Sequence, residues 1–164
     1  MKGIGIRIGA ALFACALSMP GGAQQARHAS KPRLDLNASA TIDRHGVLWA
    51  LYTEGRHLLL RRTVDFGHTW SAPQPVNQRP EDIAADGDSR PKIAVAPNGD
   101  VYVSWTQPLS KPYTGHIRFA RSTDGGKRFS EPITVNTDRE EITHRFDSLT
   151  VNGKGQIFVA WVDK

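Results

Sequence analysis

Thiol chemistry is almost missing from this sequence, since Cys15 is its only cysteine. If processing removes the segment that holds Cys15, the chain has no disulfide framework, no cysteine-based metal site and no thiol nucleophile. Long apolar runs are also lacking. Past the first residues no stretch is apolar enough to span a bilayer as a helix. None keeps a helical hydrophobic period either, which excludes a helix bundle. Charge of a single sign is absent as well: 21 Lys and Arg stand against 16 Asp and Glu, a net charge of +5. Lys2 and Arg7 belong to the first segment, so 5 − 2 = 3 remains beyond it, scattered among acids. That pattern does not read as a nucleic-acid surface.

The first segment is a separate object. Lys2 and Arg7 lead into an apolar run from Ile8 to Leu17, followed by Pro20-Gly21-Gly22-Ala23. A basic start, a short apolar core and small residues near a break read as a secretory signal peptide over 1–23, cut after Ala23 or Ala26. Secretion or a periplasmic location is the expectation. Leu12-Phe13-Ala14-Cys15 loosely resembles a lipoprotein signal, but Phe13 and the short apolar stretch argue against a lipid anchor at Cys15. A polar linker over 24–32 then leads to a single repeat region over 33–164.

What is abundant is repetition. Thr63-Val64-Asp65-Phe66-Gly67-His68-Thr69-Trp70 and Ser122-Thr123-Asp124-Gly125-Gly126-Lys127-Arg128-Phe129 share one pattern of hydroxyl, Asp, Gly and aromatic, followed by Ser and Pro. The two aspartates are 124 − 65 = 59 positions apart. A second pattern precedes each motif. Arg90 to Trp105 aligns without a gap to Phe146 to Trp161, and a weaker copy runs from Asn37 to Tyr52. The glycines Gly46, Gly99 and Gly155 fall in register across the three copies. Periods of this length mark repeat architectures.

Within the clearest copy, Lys92 to Ala96 reads as a first strand and Pro97-Asn98-Gly99-Asp100 as a tight turn. Val101 to Thr106 is a second strand, His116 to Arg121 a third, and Phe129 to Val135 a fourth. Each unit is thus a four-stranded antiparallel meander with apolar residues on both faces. Such a sheet needs neighbours on either side, and meanders stacked about an axis make a β-propeller. The fold class is all-β, a partial propeller of about two and a half blades. Propellers close with at least four blades, so the chain reads as the N-terminal portion of a longer propeller unless copies associate through their open blade faces.

The Asp motif itself reads as structural. Its carboxylate can accept turn amides, its Gly can take positive φ, and its aromatic can plug between strands. Thr63, Asp65, Gly67, Trp70, Ser122, Asp124, Gly126 and Phe129 are therefore assigned to turns, not to an active site.

Both motifs closely match the Asp-box, or bacterial neuraminidase repeat, and the chain after the linker resembles the sialidase superfamily of β-propellers. The resemblance implies an exported glycoside hydrolase of exo-sialidase type that acts on or binds sialylated or other acidic glycans. The alternative is a non-catalytic Asp-box propeller that binds a glycan or a protein, and a third reading is a non-functional remnant. Sialidases grip the sugar carboxylate with three arginines, use an Asp as acid/base and pair a Tyr with a Glu as nucleophile. Arg145-Phe146-Asp147-Ser148-Leu149 keeps part of their first arginine motif, with Asp where Pro is expected; Arg90-Pro91-Lys92-Ile93 keeps another part. The nucleophilic Tyr and its Glu are not identifiable, so whether this chain is an enzyme stays open.

Meander topology puts the Asp motifs on one side and the longer loops on the other, where binding groups usually sit. That loop side carries Glu54-Gly55-Arg56, the insertion Gln107 to Gly115, and two crossings that end in Arg90 and Arg145. A guanidinium fork suits a carboxylate, so Arg90, Arg145, Asp147 and Tyr113 are the expected ligand contacts, with Asp88 the carboxylate considered for a catalytic role. The competing reading is that Arg90 and Arg145 merely tie down their crossings by pairing with Asp88 or Asp147. Tyr52 and Tyr102 are expected in the core. His116 and His144 do not make a metal site by their spacing, and no metal or cofactor is expected.

Overall fold

The computed structural model describes residues 37–164; the expected signal peptide and linker lie outside them. The described chain contains ten strands and one single-turn 3-10 helix at Gly87–Ser89. β1 (Ser39–Ile42), β2 (Leu48–Glu54), β3 (His57–Thr63) and β4 (Gln74–Pro75) form one antiparallel sheet in that order. β5 (Lys92–Val95), β6 (Val101–Pro108), β7 (Gly115–Ser122) and β8 (Ile133–Thr134) form a second of identical order. β9 (His144–Val151) and β10 (Ile157–Asp163) are a two-stranded third unit. The first strands of the three units, β1, β5 and β9, lie side by side in space.

The repeat in sequence is a repeat in backbone. Gly46, Gly99 and Gly155 adopt φ of +79°, +88° and +77°. Each closes its turn with the same pair of bonds. Gly46 N donates to Asp43 O and Asp43 N to Val47 O; Gly99 N donates to Ala96 O and Ala96 N to Asp100 O; Gly155 N donates to Asn152 O and Asn152 N to Gln156 O. Only a residue free of a Cβ takes this left-handed angle without cost.

Alternation along the strands builds the core. Trp49, Leu51, Leu58 and Leu60 of the first sheet pack against Val101, Val103, Trp105 and Ala120 of the second. Every residue from Val101 to Thr106 is buried, as a strand sandwiched between two neighbouring units requires. Each such side chain removed from water contributes roughly 1.5–3 kcal/mol.

Three expectations are corrected. The fourth strand of each unit is a two-residue ladder, not the span 129–135. Pro73, Pro75 and Pro132 interrupt its donors, and Ser71 and Ser130 hold the segment by side-chain as well as backbone bonds to Arg62 and Arg121. The aromatic of the first Asp motif does not plug between strands: Trp70 is 37% exposed. Its ring lies against Gly67 of its own turn, whereas the second motif seats on the preceding sheet, where Gly126 faces Trp49 and Leu60. Tyr102 is buried as expected, but Tyr52 is only half-buried.

Candidate functional site

The Asp motifs are closed turns. Asp65 accepts from the Thr63 hydroxyl at 2.6 Å and the Thr69 amide at 2.9 Å. Asp124 accepts from the Ser122 hydroxyl at 2.7 Å and the Lys127 and Arg128 amides at 3.0 Å each. The Thr63 hydroxyl bond, then those from Thr69, hold the Asp65 carboxyl down from 3.8 to about 2. Both carboxylates bond within their own hairpins, and neither lines the clefts described below.

At the other end of the sheets, the insertion between β6 and β7 meets both crossings. A cleft of about 360 Å³ is lined by Ala84, Asp86, Thr106, Lys111, Tyr113 and Arg145, among others. Arg145 occupies the start of β9 and reaches back across the preceding crossing. Its Nη2 donates to Ser89 Oγ at 3.1 Å and lies 3.5 Å from Asp86 Oδ1. The guanidinium sits 5.7 Å from the Tyr113 ring centre and 5.0 Å from that of Phe146. Arg145 therefore does tie down a crossing, but through Asp86 of the previous one and not through Asp147.

Tyr113 and Phe146 are both held at left-handed φ, +66° and +58°. Bulky residues rarely take that region, and such strain clusters at binding sites. Tyr113 is 77% exposed, an aromatic face offered to solvent beside a cation. The loop that carries it is anchored by Glu141, which accepts from the Ser110 hydroxyl at 2.5 Å and the Lys111 amide at 2.7 Å. Those two bonds, in that order, pull the Glu141 carboxyl below its ordinary 4.5 against a small desolvation cost. Glu141 was not singled out from sequence. Only the fold shows that the crossing and the insertion touch.

Arg90 lies elsewhere. It lines a separate cleft of about 300 Å³ beside β1, β5 and β9, with Ser39, Lys92 and Ser148. Lys92 Nζ donates to the carbonyls of Asp88 and Arg90 at 2.8 Å each. Burial is the main cause of its lowered pKa; Asp147 opposes that shift and Arg90 adds to it. The Asp88 side chain is exposed on the 3-10 turn.

Asp147 is a correction. Expected among the ligand contacts, it is 1% exposed. Its carboxylate accepts from Ser104 Oγ at 2.5 Å and Thr106 Oγ1 at 3.4 Å, inside the joint between β6 and β9. Burial pushes this carboxyl up, with the Ser104 bond and the Lys92 charge opposing. The β9–β10 register shifts between Ala160 and Val162, where Phe146 takes φ +58°. This bulge breaks the alternation of side chains between Arg145 and Asp147, so Asp147 is enclosed while Arg145 reaches the cleft. The imidazole of His144, fully buried, lies 3.1 Å from Asp163 and stacks on His116 at 6.1 Å. Among the described residues no group of three His, Cys, Asp or Glu is placed to hold a metal.

Solved structures with this backbone were found. A Hadza microbial sialidase, Hz136, superposes with a TM-score of 0.53 at 17% identity, over 77% of this chain and 32% of its own. An ulvan lyase of family PL25 gives 0.55 at 13%, over 77% and 36%. The GH43 protein BlXynB from Bacillus licheniformis gives 0.53 at 15%, over 77% and 26%. The fold is that of part of a β-propeller. The chain spans between about a quarter and just over a third of the length of these neighbours. No family model matches it, and no curated protein does. No helix among the described residues is long and apolar enough to cross a membrane.

Proposed function

We propose that this chain is part of an exported, sialidase-like Asp-box propeller that takes an acidic glycan on its loop side. The observation that carries this reading is the meeting of Arg145 and Tyr113 across the 360 Å³ cleft. Thirty-odd residues apart in sequence, they offer a guanidinium for a sugar carboxylate and a ring for the apolar face of the pyranose. Arg90 and Lys92 supply further positive charge in the neighbouring cleft. The Asp-box spacing supports the sialidase relation, and the basic, apolar N-terminal segment supports export.

Calorimetric titration with sialyllactose and with lactose tests the reading. Sialyllactose is expected to bind more tightly. Replacing Arg145 by Ala removes a charge-assisted bond of about 1.5–3 kcal/mol, a loss of tenfold or more in affinity. Tyr113→Ala is expected to weaken both sugars. Equal affinity for the two, or indifference to Arg145→Ala, would defeat the acidic-glycan assignment.

Tyr102 is not placed to act as a nucleophile. The Tyr102 hydroxyl donates to Asp100 Oδ2 at 3.3 Å, on the side away from the cleft. Burial first, and then the Asp100 charge, raise its pKa, the reverse of an activated nucleophile. Cleavage of a fluorogenic sialoside is accordingly not expected to run through Tyr102, and Tyr102→Phe should leave any release of the fluorophore unchanged.

A further inference from the structure

We infer that Glu141 is a positioning residue, which clamps the 109–114 loop from the neighbouring crossing so that the Tyr113 ring is held beside Arg145 for a sugar to stack on. The stacking role rests on the glycan reading above; the clamp itself does not. Internal bonds close the loop, Leu109 N donating to Thr114 O at 3.2 Å and Thr114 Oγ1 to Lys111 O at 2.7 Å. They shape it without fixing it to anything else. Attachment comes from the crossing: Gly115 N donates to Ile142 O at 3.1 Å, and Glu141 takes the Ser110 hydroxyl, the Lys111 amide and, at 3.8 Å, the Lys111 ammonium.

Comparison between units shows that the two crossings hold their inter-strand connections in different ways. Near the corresponding place in the preceding crossing, Glu81 turns inward, accepting from Trp105 Nε1 at 2.7 Å and pairing with Arg118 at 3.4 Å. It secures the core, while Asp82, 141 − 82 = 59 positions before Glu141, pairs with Arg56 Nε of the β2–β3 turn at 3.1 Å. In the first unit β2 and β3 are joined through Gly55 and Arg56 alone, so the exposed Asp82 pair and the Glu81 amide hold a two-residue turn rather than an extended loop. In the second unit a loop is present, the carboxylate turns outward, and the loop's tip is an exposed aromatic at φ +66°. An unfavourable backbone angle at an exposed tip persists only where its surroundings over-determine it. A carboxylate suits the task because one oxygen accepts from a hydroxyl and an amide while the other faces an ammonium as an ion pair.

The full-length chain is compared with Glu141→Ala, Glu141→Gln, Tyr113→Ala and the Glu141→Ala/Tyr113→Ala double variant. Hydrogen exchange without ligand is read first. Glu141→Ala is expected to speed exchange of the Leu109, Lys111 and Thr114 amides at least tenfold while β6 and β7 stay protected; Glu141→Gln, which keeps an acceptor, should lie between. Unchanged loop exchange in the Ala variant would overturn the clamp whether or not any sugar binds. Sialyllactose affinity is read second. Glu141→Ala should lower it about fivefold, and that loss should vanish in the Tyr113→Ala background, since coupled residues are non-additive. An equal loss in both backgrounds would overturn the claim that Glu141 acts through Tyr113. Absence of sialyllactose binding by the wild-type chain would overturn the glycan reading and the stacking role with it, leaving the exchange result to decide the clamp alone.

Discussion

Gly126 is the residue where a single methyl group should report how one sheet is seated on the next. It occupies the glycine position of the second Asp motif at φ +77°, and an added Cβ would come 2.9 Å from Cζ3 of Trp49 and 3.0 Å from Cδ2 of Leu60. Both neighbours are core residues of the first sheet, only 4% and 2% exposed. Two internal controls exist. Gly125 has φ +70° with nothing within 4 Å, and Gly67, the equivalent residue of the first motif, has φ +91° with its nearest neighbour 3.6 Å away on Trp70. All three alanine variants carry the left-handed backbone cost of about 1–2 kcal/mol. Only Gly126→Ala adds overpacking, about 1–3 kcal/mol, for a total of about 2–5 kcal/mol. Urea unfolding followed by tryptophan fluorescence measures the difference. With a slope of about 2 kcal/mol per molar urea, Gly126→Ala should lower the midpoint by roughly 1–2.5 M, and Gly125→Ala and Gly67→Ala by less than about 1 M. Equal shifts in the three variants would refute the reasoning, because the turn would then not rest on Trp49 at all.

Acid sensitivity should trace to the same motif. The folded Asp65 carboxyl sits at about 2 against an ordinary 3.8, so its bonds stabilise the turn fully above the ordinary value and are lost as pH falls from there toward about 2. Asp65→Asn is expected to flatten the pH dependence of stability in that window, and an acid profile identical to wild type would count against it. Asn77 and Asn136, both nearly fully buried, accept the Leu58 and Ile117 amides at 2.7 and 2.9 Å. Replacing either by Ala leaves a buried donor unpaired and should cost about 1–3 kcal/mol in urea unfolding; a change below about 0.5 kcal/mol would show that water takes the asparagine's place.

Much of the architecture was legible because its signals are local. Gly46, Gly99 and Gly155 stand at matching positions, and a turn that needs positive φ leaves its mark on one residue. The Asp motifs behave likewise, since donor, acceptor and glycine all lie within a few positions of one another. The recurring Val76-Asn77 and Val135-Asn136 pairs were readable at the same period and were overlooked. Their role, a side chain standing in for the next strand's acceptor, has no local signature. Trp70 and Phe129 occupy one motif position, yet Trp70 is exposed while Phe129 packs on the core. The difference lies in whether another sheet covers the turn.

Site residues were less legible for the same reason. Arg145 and Tyr113 could be named as cleft candidates from loop topology, but their company could not. Arg145 finds Asp86 from the previous crossing, Tyr113 is carried by a loop tied to Glu141, and Arg90 enters a different cleft. Asp147 looked like a ligand group and is enclosed. Periodicity and turn chemistry depend on neighbours along the chain, so the strand order, the hairpins and the repeat were determined by the sequence alone. Which carboxylates are buried, which arginine faces which acid, and how one unit rests on another depend on atoms brought together from distant positions, and those only the tertiary structure decided.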